Sequence, residues 1–213
     1  MTGLLIGNKH TYDDFRLKML SFTISTPKII EEKIEVPGRS EPIDLTEFFD
    51  KVLYKERSLN AEFDMEETDP NNFENRFLEM CNYIHGISHK IICDHDNQFY
   101  YKGRVSVSYT RINALFYKIK ISATVDPYKY KLVSTTVSDI IVDQAQIICP
   151  NLRKEVVPII TTDADFQIEF KGDIYSVSAG ENIIPEILFR AGDNILTCTG
   201  SGTITFTYQE GSL

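Results

Sequence analysis

Three of the four histidines and two of the four cysteines of this 213-residue chain fall within fifteen residues, as Cys81, His85, His89, Cys93 and His95. Imidazole and thiolate are the ligand types that zinc takes, so this is the first stretch to test for chemistry. The spacing separates the ligands. Cys81 and His85 stand one turn apart on a predicted helix, His89 follows the Gly86 break, and Cys93 and His95 lie beyond a strand that alternates its side chains. Cys81 also falls on the apolar stripe of that helix. The sequence therefore predicts no bound metal, with most of Cys81, Cys93, Cys149 and Cys198 as buried, inert thiols, since none of them makes a metal-ribbon or redox pair.

Carboxylates gather at Glu62, Asp64, Glu66, Glu67 and Asp69, and again at Asp94 and Asp96. None has the spacing of a calcium loop with its glycine and terminal glutamate. Paired carboxylates serve glycoside hydrolysis only at a separation that sequence does not give, and a solvated turn accounts for both groups. There is no Gly-x-Ser-x-Gly, no phosphate-binding glycine loop and no dinucleotide fingerprint. A saccharide site asks for a flat exposed ring, and the chain has no tryptophan. Tyr175 and Tyr208 are the substitutes, in alternating strands where tyrosines serve core and interface. The expectation is a protein that is no enzyme and holds no cofactor.

The balance of charge narrows the partners. A formal net charge of −9 argues against the basic surface that phosphate backbones require, so no specific nucleic-acid binding is expected. Hydrophobic content of 42% and charged content of 25% are those of a globular protein, and no apolar run is long enough to cross a bilayer. The segment from Met1 to Gly7 lacks a basic region followed by a long apolar stretch and does not read as a secretory signal, which predicts folding in a cytoplasm.

The elements that must position these residues are mainly strands. Phe15, Leu17 and Met19 alternate, residues 30–36 read as a short strand broken by Pro37-Gly38-Arg39, and Leu59, Ala61 and Phe63 alternate against polar neighbours. One helix follows: Asp69 caps it, Pro70 suits its first position, Phe73, Phe77, Leu78, Met80, Cys81 and Ile84 supply an apolar stripe, and Gly86 ends it. Strands are predicted over 87–93 and 100–109, the latter returning as a hairpin into Leu115, Tyr117, Ile119, Ile121, Ala123 and Val125. Asp126-Pro127-Tyr128 then stops the ladder, because proline has no amide hydrogen, and marks a domain boundary. Beyond it come short alternating segments (Phe166 to Phe170, Tyr175 and Val177, Ile187 and Phe189, Ile204 to Tyr208) between turns at 171–173, 179–182, 191–194 and 200–202. Such regular spacing predicts a β-sandwich. The fold class is mainly β with one helix, in two domains, 1–131 and 132–213.

The order of landmarks carries a further signal. Residues 7–15 (Gly-Asn-Lys-His-Thr-Tyr-Asp-Asp-Phe), Val36-Pro37-Gly38-Arg39, Ile43-Asp44-Leu45-Thr46, Tyr54-Lys55-Glu56-Arg57, Tyr83-Ile84-His85-Gly86, residues 99–104 and Asp126-Pro127-Tyr128 together resemble the distal tail protein (Dit) family of siphophages and related prophages. Gly180-Glu181-Asn182-Ile183-Ile184-Pro185, Gly192-Asp193-Asn194 and the Tyr208–Leu213 end look like the family's C-terminal domain. The resemblance implies an N-terminal split β-barrel-like domain that forms a hexameric ring and an outward galectin-like β-sandwich. It implies a virion part at the distal tail or baseplate, assembled in the bacterial host cytoplasm. There the ring joins the tail-tube protein to the tail-associated tip protein, offers a hub to baseplate and receptor-binding proteins, and lets DNA pass. Pro37, Gly38 and Arg39 are then the expected oligomer contact. The alternative is a carbohydrate-binding host-adhesion module using the C-terminal sandwich.

Overall fold

The alternating segments of the first half pair into one antiparallel sheet in the computed structural model, which describes residues 2–48 and 51–213. In chain order the elements are β1 (Leu4–Ile6), β2 (Lys9–His10), β3 (Lys18–Ile24), β4 (Lys33–Ile34), β5 (Ile43–Asp44), β6 (Arg57–Glu66), α1 (Pro70–Ile84), β7 (Ser88–Cys93), β8 (Phe99–Arg111) and β9 (Phe116–Val125). Seven strands run in the order β2-β1-β7-β8-β9-β6-β3 as a half-barrel, while β4 and β5 pair only with each other. These elements belong to the first of two compact units, residues 1–129 and 130–212.

Period-two alternation decides which face is buried. Leu59, Ala61, Phe63 and Met65 of β6 and Tyr117, Ile119, Ile121, Ala123 and Val125 of β9 all point into one core. Polar residues take the other face, where Glu62 stands opposite Lys120 and its carboxylate meets Lys118 Nζ at 3.2 Å. Helix α1 covers the apolar face, burying Phe73, Met80 and Ile84. The Phe73 ring stacks on Tyr117 with centroids 3.5 Å apart. Its start follows the sequence signals: Asp69 accepts the Asn71 N–H at 2.9 Å, and Pro70 opens the first turn. Gly86, at φ +76, takes the left-handed position just past its end.

Two strand expectations shift. Phe15 is not in a strand: a turn closes through Arg16 N–H to Tyr12 O (2.8 Å), and the ladder begins only at Lys18. Leu115 leaves the buried face and is 43% exposed, because Asn113 Oδ1 takes its N–H (2.8 Å) and that of Phe116 (3.0 Å) to build the β8–β9 turn.

The second unit is built on two long strands. After β10 (Lys129–Lys131) come β11 (Thr135–Asn151), β12 (Ile159–Thr162), β13 (Phe166–Phe170), β14 (Asp173–Val177), β15 (Gly180–Ile183), β16 (Gly192–Tyr208) and β17 (Gly211–Ser212). β11 and β16 pair along all 17 residues, from Thr135 opposite Tyr208 to Asn151 opposite Gly192. The other edge of β16 is shared, residues 197–200 by β13 and residues 204–207 by β12. Both halves contribute to one core that contains Ile141, Ile147, Leu196, Phe206 and the ring of Phe189.

The expected turn at Gly200-Ser201-Gly202 is instead the middle of β16. These glycines allow close approach, not chain reversal. A Cβ on Gly200 would lie 2.5 Å from the Phe166 ring and one on Gly202 2.2 Å from Asp163 Oδ1, at φ +154 and +151. Ile187 and Phe189 are buried as expected but outside the long strands; Phe189 is held by reciprocal bonds with Val156 at 2.9 and 3.1 Å.

Candidate interaction surfaces

The cysteine and histidine cluster does not converge. His85 Nδ1 accepts the Val107 N–H at 3.1 Å, His89 Nε2 donates to Tyr83 O at 3.1 Å, and His95 sits exposed in the 3-10 turn Asp94–Asp96. Cys93 is buried and Cys81 half-buried, and burial pushes both thiols up from their ordinary range. Among the described residues no three Cys, His, Asp or Glu side chains are grouped to hold a metal ion. The fourth histidine, which lies outside the cluster in sequence, has the carboxylate neighbours: His10 Nε2 is 3.2 Å from Asp94 and Nδ1 3.1 Å from Asp13. Asp94 also accepts the Gly3 N–H at 2.7 Å, so this group ties the first strand to the 3-10 turn.

The expected contact tripeptide sits at the tip of an arm. Between β3 and β6 the chain leaves the sheet, and none of the described residues from Ser25 to Glu56 is buried. Its base is closed by Ile30 N–H to Leu53 O (2.9 Å) and Lys55 N–H to Lys28 O (2.7 Å). Further out, β4 and β5 pair through Lys33 opposite Asp44 and Ile34 opposite Ile43. Thr46 donates to Asp44 and holds that carboxyl below its ordinary value. The tip turns at Pro37-Gly38-Arg39, where Arg39 N–H reaches Val36 O at 3.0 Å and Gly38 takes φ +86 with open space around it. Arg39 is exposed.

What the sequence reading missed is the apolar content of this arm. Phe48 is 69% exposed, Ile34 and Leu53 51% each, and Ile29, Val36 and Ile43 are exposed with them. Two-residue strands are too short to be stable by themselves, and a run of exposed aliphatic and aromatic side chains marks a contact surface. The signal was available: within residues 26–56 only 30–36 reads as a strand, and Ile43, Phe48 and Leu53 follow it with no period that would give them a face to bury.

At the other singled-out segment, β9 ends at Val125 and Asp126 N–H bonds Lys102 O at 2.9 Å. Tyr128 stands edge-on to Tyr54, ring centroids 6.0 Å apart. Asp126 lines a hollow of about 350 Å³ with Glu56, Lys102, Arg104 and Thr124. The two tyrosines considered for a saccharide offer little ring surface: Tyr208 is buried with its hydroxyl on Pro150 O, and Tyr175 is half-buried against the second core.

No family model and no curated protein matches the chain. A solved structure does: the crystal structure of the SPP1 Dit (gp 19.1) protein, presented as a paradigm of the hub adsorption apparatus in phages that infect Gram-positive bacteria, aligns over 100% of both chains with a TM-score of 0.73 and 12% identity. This chain has the fold of a Dit protein. At that identity the likeness concerns backbone topology, and the surface chemistry of this Dit fold is its own.

Proposed function

We propose that this chain is a structural part of a phage tail: six copies close into a ring through the first unit, joining the tail tube to the tip and baseplate proteins around an opening that DNA passes. The observation that carries the reading is the full-length match to the Dit fold. The arm adds a physical reason for assembly, because its exposed Ile34, Phe48 and Leu53 gain by burial against a neighbouring copy. Arg39 at its tip is the charged member of that contact. The reading is of an assembly part and not a catalyst, resident in the virion tail.

Purified full-length protein should give closed rings in negative-stain images and a hexamer by native mass spectrometry, at high concentration or beside tail-tube and tip proteins. A uniform monomer under all of these conditions overturns the reading.

A further inference from the structure

One of the two longest strands of the second unit, β11, has no partner among the described residues on one of its edges. Among the described residues β11 pairs with β16 alone, and in an antiparallel ladder the N–H and C=O of alternate residues point to the same edge. The N–H of Ile140 bonds its own neighbour's carboxylate, Asp139 Oδ1, at 2.8 Å. It therefore points away from β16, and the even-numbered residues Ser138, Ile140 and Val142 present their backbone groups on the free edge. Two of these carry the most exposed aliphatic side chains of the chain's strands, Ile140 at 73% and Val142 at 80%. A long edge with unpaired backbone groups and exposed β-branched residues is a template for another strand.

Charge says which strand. Residues 135–151 contain Asp139 and Asp143 and no lysine, arginine or histidine. Pairing with the same edge of a second copy, in the register that sets Ile140 opposite Val142, sets Asp139 opposite Asp143. Like charges directly opposite are destabilising, so the edge disfavours its own copy. We propose that residues 138–143 of β11 accept, antiparallel, an extended segment of a different protein, with β-branched residues facing Ile140 and Val142 and a lysine or arginine facing Asp139 and Asp143. The incoming strand takes up the outward N–H and C=O groups, and its cations replace the Ile140 N–H as the partner of Asp139. This docking goes beyond ring assembly and does not depend on it.

The probe is an acetylated, amidated peptide with the core Lys-Val-Thr-Val-Lys, labelled for fluorescence anisotropy and titrated into the full chain, with Glu-Val-Thr-Val-Glu as its counterpart. Saturable binding of the lysine peptide is expected at up to about 1 mM, with affinity lowered about tenfold or more by Asp139→Lys. Ile140→Pro removes an outward donor and leaves the β16 ladder intact, so it should weaken binding while the circular dichroism is kept. By NMR, the amides of Ser138, Ile140 and Val142 should gain protection from exchange with peptide present. The proposal is overturned if the lysine peptide fails to bind, if the glutamate peptide binds equally, or if protection appears elsewhere. It is overturned too if the unmodified chain self-associates and Ile140→Pro abolishes this, which would assign the edge to a second copy.

Discussion

Gly103 shows at the residue scale how a position can be visible in sequence while its reason is not. It lies where β8 is paired on both sides, opposite His89 and Val125. A Cβ there would stand 2.1 Å from Thr124 O and 2.6 Å from Val125 Cα, both backbone atoms that cannot swing aside. Gly103→Ala should therefore lower stability by about 2–4 kcal/mol in urea unfolding, and a change below about 0.5 kcal/mol would show that the strands can part at little cost. Asp163, by contrast, is a position the sequence does not single out. Its carboxylate accepts the Thr203 N–H at 2.7 Å, and that bond holds its carboxyl below the ordinary carboxylate value. A depressed carboxyl stabilises the fold above its unfolded value, about pH 4, and loses this as the pH falls through the folded one. Asp163→Ala should melt lower than the parent at neutral pH, with the gap narrowing in acid; a gap that widens in acid contradicts the assignment. Three of the four thiols, Cys93, Cys149 and Cys198, are buried, as the sequence predicts for most of them. Burial pushes Cys149 up to about 12 and Cys198 up to about 11, so the native protein should resist iodoacetamide at pH 8 at both sites and react at all four cysteines once denatured. Rapid native labelling of Cys149 would mean that the second core opens.

Among the elements, legibility followed local physics. The helix was readable at both ends because Asp69, Pro70 and Gly86 act within one turn of themselves, and β6, β8 and β9 were readable because one of their faces meets a core and the other does not. β11 was not, because Ser138, Ile140, Val142 and Gln144 are exposed while Ile141 is buried, so apolar and polar residues do not sort by face along a free edge. The arm escaped for a related reason: its apolar residues belong to neither core, and its strands are only the two-residue pairing of Lys33 with Asp44 and Ile34 with Ile43. Its stability is separable from that of the sheet, since no arm residue belongs to the first core. Replacing residues 31–45 by a short Gly-Ser linker should leave the melting temperature within about 2 °C and the far-ultraviolet dichroism nearly unchanged, while hexamer disappears. Loss of the cooperative transition would show that the arm supports the half-barrel instead of a neighbour.

For the whole molecule, a closed ring of identical chains requires two different surfaces per subunit, one that reaches and one that receives. If the arm reaches, a copy without it still receives, and this gives a test that a simple loss of assembly does not. Arm-less chain mixed into the intact protein should bind at its receiving surface, add nothing beyond itself, and leave open chains. Ring population should then fall more steeply than the fraction of intact chain, because in the proposed ring of six one arm-less member prevents closure. If the arm has no part in the contact, mixed hexamers should form in statistical proportion and be seen as such by native mass spectrometry. Arg39→Glu sharpens the same experiment, since it alters the exposed tip without touching either core. It should reduce the hexamer with an unchanged melting curve, and act on mixtures as the arm-less chain does, only more weakly because the apolar contacts of Ile34, Phe48 and Leu53 remain. Rings that form as readily from Arg39→Glu chains as from the parent would remove the tip from the interface while leaving the arm's apolar length as its remaining candidate.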